Sequence, residues 1–121
     1  MTDTIAVERR AAAVPSAGHQ GQVTLINSFV VPPDRDDAFL EAWTLTSSYF
    51  RAQAGFVALR LHRAVSPDSR YRYVNVAVWA SAGAFGAAHA TPEFRGLVAQ
   101  PGWREFPSSP ALYETAVEFS A

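Results

Sequence analysis

The residues best suited to chemistry lie in one run, Tyr71-Arg72-Tyr73-Val74-Asn75-Val76-Ala77-Val78-Trp79. Aromatic and β-branched residues dominate it, and Pro67-Asp68-Ser69 and Ser81 bound it, which is the pattern of a β-strand. Side chains alternate along a strand, so Tyr71, Tyr73, Asn75, Ala77 and Trp79 share one face. Arg72, Val74, Val76 and Val78 share the other. Three amphipathic rings and a carboxamide on one face suit a cavity for a flat, partly polar molecule. Asn75 can donate amide hydrogens to an oxygen of such a ligand, and Trp79 offers an indole N–H and a flat face. The plainer alternatives are a Trp that is core and an Asn held by a structural hydrogen bond. An Asn inside an apolar strand is disfavoured and must find partners if buried, which favours the pocket. Asn27, flanked on its face by Leu25 and Phe29, repeats that argument from an earlier strand and is a second lining candidate.

Two histidines come next. His62 stands between Leu61 and Arg63, on the face expected to carry Phe56, Ala58 and Arg60. Imidazole, with an ordinary pKa of about 6.5, suits a proton acceptor near neutrality; an exposed strand residue is the alternative. His89 lies four residues after Phe85, on the same helical stripe, as a pocket-lining or capping residue at a helix break. His19 sits beside Gly18 in a polar stretch and is given no role.

Composition narrows the chemistry. With 121 residues the chain makes one domain with one sizeable core. Apolar residues at 49% and charged residues at 17% are ordinary globular values. A net charge of −1 leaves no electrostatic footprint for nucleic acid. All ten basic residues are Arg, which removes lysine Schiff-base chemistry. The absence of Cys removes thiolate catalysis and thiolate-bound metals, and no His pair has ligand spacing, so no metal is expected. No apolar stretch is long enough for a membrane span.

The elements that must position these residues can be read along the chain. Residues 1–21 have no hydrophobic periodicity and no apolar segment after Arg9-Arg10, so they are expected to form a flexible tail on a cytoplasmic protein. Residues 22–121 form the domain. Val23–Val31 reads as a strand ended by Pro32-Pro33. Asp34 is the expected N-cap of a helix in which Phe39, Trp43, Thr46 and Phe50 recur at helical spacing. Gly55 stops that helix. Phe56–Arg63 and Tyr71–Trp79 follow as strands. Ser81 caps a short Ala-rich helix broken near Thr91-Pro92, where Pro92 opens another turn. Pro101–Pro110 reads as a loop, with Trp103 and Phe106 as a lid or as packing for a partner subunit, and Leu112–Phe119 as the last strand. The order β-α-β-β-α-β is the ferredoxin-like split βαβ arrangement of the α+β class: a four-stranded antiparallel sheet with its helices on one face. The other face carries apolar residues and needs a cover. A second copy, sheet against sheet, supplies one and predicts a homodimer. Arg60, Arg63, Arg70 and Arg72 around the second hairpin are expected on a solvated face.

From Val23 to Phe119 the chain resembles the antibiotic biosynthesis monooxygenase family, dimeric α+β barrels of this size. The opening strand VTLINSFVV-PP, the turn Ala54-Gly55-Phe56 and the segment VNVAVWASAGAF carry the resemblance. At the site it is most similar to the quinone-forming monooxygenases of aromatic polyketide pathways. Those enzymes oxidise an anthrone-like carbon with O2, without flavin, haem or metal. The resemblance implies that Asn75 and Trp79 bind and polarise a polycyclic aromatic substrate, with His62 matching a pocket His on the preceding strand. Phe85 takes a position that can be Tyr in those enzymes, and no residue matches their helix arginine, although Arg95 is near. Tyr73, Phe85, Trp43, Phe50, Asn27 and His89 are the expected pocket walls. Two other functions remain open at this point. One is a non-oxidative polyketide-binding or cyclase-like protein. The other is haem binding through His89, since Asn27, Trp79 and His89 imitate the Asn-Trp-His set of haem-degrading relatives. In those relatives, however, the Trp lies inside the second helix, about where Ala88 stands, and the His near Val98.

Overall fold

The computed structural model describes residues 21–121; the tail expected before them, with His19, lies outside the described residues. The elements are β1 (Val23–Phe29), α1 (Asp36–Arg51), β2 (Phe56–Arg63), β3 (Tyr73–Trp79), α2 (Ala82–Ala88), α3 (Pro92–Val98) and β4 (Ser108–Tyr113). Single 3-10 turns occupy Pro33–Arg35 and Pro101–Trp103. The strand order is β2-β3-β1-β4 and every pairing is antiparallel. β1 and β2 both oppose β3, which lies between them, so they run parallel to each other and α1 is their crossover. That is the split βαβ arrangement expected.

Local chemistry sets the boundaries. Ser81 caps α2 by accepting the Ala84 N–H at 3.0 Å, and Thr91 caps α3 by accepting the Phe94 N–H at 3.0 Å. Gly55 ends the α1–β2 connection at φ +86°, where a side chain would also strike the Ala84 Cβ. Its carbonyl accepts the Ala80 N–H at 2.7 Å, tying that turn to the end of β3.

Three expectations need correcting. Asp34 does not cap α1: Pro33 opens a 3-10 turn that contains it, and α1 starts at Asp36 with no side-chain cap. Instead Arg72, expected on a solvated face, grips Asp36 with two hydrogen bonds of 2.7 and 2.8 Å. The guanidinium holds the Asp36 carboxyl well below the usual range, at about 2. Second, the last strand is Ser108–Tyr113 rather than Leu112–Phe119. β4 is an edge strand, where Pro110 lacks only an N–H that no neighbouring strand needs. Val117 and Phe119 remain exposed beyond it.

The third correction matters most for the site. Between Phe56 and Ala58 the β2–β3 ladder contains a bulge, with Phe56 opposite Trp79 and Ala58 opposite Val78. Val57 is the extra residue, and it reverses the alternation after it. Leu59 and Leu61 therefore share the face of Ala77 and Asn75, whereas His62 pairs with Val74 on the opposite face and is exposed.

Helices and aromatic rings cover the inner face in two clusters. At one end Phe29, Val31, Phe39, Tyr73 and Phe106 pack together, with Phe39 stacked on Tyr73 at 4.6 Å. At the other, Val23, Leu25, Ala77, Trp79, Phe85 and Ala88 form the core.

Candidate active site

Between the inner sheet face and the helices lies a cavity of about 680 Å³, within the range of small-molecule sites. The strands supply its floor. Asn27 and Asn75 are register partners on β1 and β3, so two carboxamides stand side by side at the centre of the sheet. Trp79, one strand repeat beyond Ala77, closes the floor. It is 1% exposed and takes edge-on contacts from Phe50, Phe56 and Phe85 at 5.6–6.0 Å. α1 brings Trp43, Thr46 and Phe50 to the wall because they recur along its inner stripe. α2 and α3 add Phe85, His89 and Phe94.

The polar atoms at this floor lack partners. Asn27 Oδ1, Asn75 Oδ1 and Trp79 Nε1 are buried here with no hydrogen bond among the described residues, and Tyr73 Oη is a fourth such atom, away from the cavity lining. Each such group costs about 1–3 kcal/mol when left unmatched, so three together on one cavity floor make it the candidate ligand site. A carboxamide can present either a donor or an acceptor, and the indole presents a donor only. The carboxamide oxygens accept and the indole N–H donates, so together they fit a phenol O–H and a ring oxygen on an otherwise apolar ring. No Arg, Asp or Glu lines the cavity among the described residues, so the ligand it fits is neutral there.

His89 borders the same cavity. Its ring lies 4.7 Å from Phe50 and from Phe94 and 4.0 Å from Phe85, centre to centre. Nδ1 meets the Phe85 carbonyl oxygen at 2.7 Å. A carbonyl can only accept, so Nδ1 carries the hydrogen and Nε2 holds the lone pair in the neutral ring. Burial pushes the imidazole below its usual value, against a smaller upward effect of that carbonyl.

The site therefore gathers Asn27, Trp43, Phe50, Asn75, Trp79, Phe85 and His89 from the expected set. It leaves two aside. His62 faces away from the cavity because of the bulge at Val57. Tyr73 shares the inner face but is 2% exposed and packed under Phe39 in the other cluster, so it supports the wall from outside. Arg95 binds the Ala90 carbonyl at 3.1 Å and does not line the cavity.

Sequence reasoning did not single out Phe94, whose inward direction follows from its place in the first turn after the Thr91 cap. Trp103 and Phe106, left between lid and partner contact, close the cavity within the chain itself. Trp103 donates its indole N–H to Thr46 Oγ1 at 3.0 Å, and Phe106 meets Phe39 edge-on at 5.4 Å. An exposed double hydrogen bond from Arg35 to Glu105, at 2.7 and 3.1 Å, fastens the same loop.

Fold and site together define a split-βαβ protein with an apolar, ligand-sized cavity between sheet and helices. Comparison with known proteins identifies the family. The profile of the antibiotic biosynthesis monooxygenase (ABM) domain matches residues 22–100, and the chain belongs to that family. Among solved structures, a Shewanella loihica protein classed provisionally as a monooxygenase is 30% identical. It superposes with a TM-score of 0.72 over 84% of this chain and 100% of its own. SnoaB, a cofactor-independent oxygenase from Streptomyces nogalater, is 28% identical with a TM-score of 0.69, covering 84% of this chain and 99% of SnoaB. A search of curated protein sequences found no match. No helix among the described residues is long and apolar enough to cross a membrane.

Proposed function

We propose that this monooxygenase-family protein oxidises a neutral polycyclic aromatic polyketide, an anthrone or phenol, to a quinone with O2 and without flavin, haem or metal. The observation that carries this reading is the trio of unpartnered polar atoms on Asn27, Asn75 and Trp79, at the floor of an apolar cavity. The methylene of an anthrone is acidic because its carbanion is the phenolate of a fused aromatic system. Such an anion is electron-rich enough to reduce O2 itself. The protein's share is to exclude water, hold the ring and stabilise the developing enolate oxygen. Asn75 and Trp79 donate to that oxygen, Asn27 supports it from the neighbouring strand, and Phe85, Phe50 and Trp43 grip the ring.

The likeness to SnoaB supports this chemistry over the alternatives. Haem is a poor match, because its propionates find no cation among the described lining residues. The functional unit is a cytoplasmic homodimer. Ile26, Val74, Val76 and Val78 on the outer sheet face are only partly covered by the chain itself and suit a second copy.

The test is O2 uptake by purified, metal-stripped protein given dithranol, measured against the substrate's own autoxidation. Uptake well above that background, with quinone formed and no added flavin, is expected. Uptake no faster than background across several anthrones overturns the reading. Conversion that proceeds equally without O2 points to the cyclase-like alternative.

A further inference from the structure

We propose that His89 is the proton acceptor of this site, taking the substrate's methylene proton on Nε2. The proposal rests on the oxygenase reading above and adds what that reading lacks, a base. His62, the sequence candidate, faces away from the cavity. Asn, Trp, Thr and Ser side chains on the lining are not bases near neutral pH. Of the three histidines in the chain, His89 alone borders the cavity among the described residues.

Its geometry suits the task in three ways. The Nδ1–H to Phe85 O bond fixes the tautomer, so the lone pair sits on Nε2, and Nε2 has no partner among the described residues. The rings of Phe50, Phe85 and Phe94 hold the imidazole on several sides and fix its plane. The Trp79 indole is 6.3 Å from the imidazole, centre to centre, so one planar ligand can span the donor floor and the base.

The electrostatic surroundings are simple. Of the titratable groups on the packing elements, Tyr49 of α1 bonds the Ala88 carbonyl at 2.6 Å and meets Thr91 Oγ1. Arg51 of α1 and Glu93 and Arg95 of α3 are exposed, and Tyr73 sits at the far end of β3. No carboxylate acts on His89; burial is the main influence and favours the neutral ring, which leaves Nε2 free to accept a proton.

In the step proposed, the methylene C–H bond breaks, its electron pair enters the ring system as the enolate, and the proton goes to Nε2. Dioxygen then takes up the electrons. One of its oxygen atoms becomes the new ring carbonyl, and the other leaves as water with the two methylene hydrogens.

Two measurements test this and keep its failure apart from failure of the oxygenase reading. The first is hydrogen–deuterium exchange at the dithranol methylene in D2O without oxygen, which reads proton abstraction alone. Wild-type protein is expected to accelerate exchange, and His89→Gln and His89→Phe to lose about 100-fold or more of that acceleration. Imidazole added to His89→Ala should restore part of it. The variants should still bind dithranol, read by tryptophan fluorescence, which separates a lost base from a collapsed cavity.

The second measurement is the pH profile of O2 uptake. It should fall on the acid side with an apparent pKa below 6.5 in the wild type, a limb missing from any residual activity of the variants. Exchange in His89→Gln within a few-fold of wild type, or an unchanged acid limb, overturns the assignment while leaving the oxygenase reading intact. Wild-type exchange without O2 uptake overturns the oxygenase reading and still supports the base. Absence of both overturns both.

Discussion

The two ends of the inner sheet face are built from the same kinds of residue and do opposite things. At the Tyr73 end, Phe39 is fully buried, stacks on Tyr73 and meets Phe29 and Phe106 edge-on, so rings fill the space over Tyr73. Phe29 and Phe106 turn their other sides to the cavity as its near wall. At the Trp79 end, the rings of Phe50, Phe56 and Phe85 stand edge-on around the indole and leave a cavity in front of two carboxamides. Aromatic content does not separate core from site. Unpartnered polar atoms beside a cavity do.

That contrast can be broken experimentally. The largest effect on stability belongs to the filled end. Phe39→Ala should cost about 3–5 kcal/mol, seen as a lowered urea midpoint. Catalysis should drop only through loss of fold. At the hollow end the order reverses. Asn75→Ala should lower turnover tenfold or more while the melting temperature holds. Trp79→Phe should lower turnover as much while also lowering the melting temperature, because the indole is core as well as donor. Unchanged turnover in both variants removes these residues from the mechanism.

Between the two lies Trp103→Phe, which keeps the ring and deletes its bond to Thr46. A loss of about 1 kcal/mol is expected, with a smaller change in turnover than either floor variant shows.

The smallest effect is a pH signature. The native state favours neutral His89, so its contribution to stability is complete above about 6.5 and declines as pH falls below that value. Stability measured from pH 7 to 5 should fall less steeply in His89→Phe. Asp36 acts in a separate, more acidic window. Its contribution is present above about 3.8, declines as pH falls toward about 2, and should shrink in Arg72→Ala, with Tyr73 and Arg63 left to hold part of it.

Much of the fold was legible because its signals are local. The strand–helix order followed from Pro32-Pro33, Gly55, Ser81 and Thr91-Pro92, each punctuating by its own backbone or side-chain chemistry. The lining positions Asn27, Asn75, Trp79, Phe50 and Phe85 followed from periods of two and of three to four residues. What escaped depends on partners distant in sequence. Tyr73 has the same parity as Asn75, and only Phe39 overhead makes it core. Ser108–Tyr113 contains a proline, tolerable because that strand turns out to be an edge. The placement of Trp103 against Thr46 spans 57 positions of chain. No propensity marks Val57 as the residue its neighbour strand skips.

That skipped residue acts as a phase setting for the whole of β2. Each residue beyond it displays on one face what a ladder that paired Val57 would display on the other, so a single bulge chooses between two surfaces encoded by the same letters. Pairing Val57 into the ladder, with no residue skipped, would bring Arg60 and His62 against the cavity and send Leu59 and Leu61 outward, whereas deleting Val57 would leave the present faces in place. A neutral, apolar chamber would become a cationic one with no substitution made. In an ABM relative, whether this strand carries the bulge is therefore worth reading before the identity of its residues.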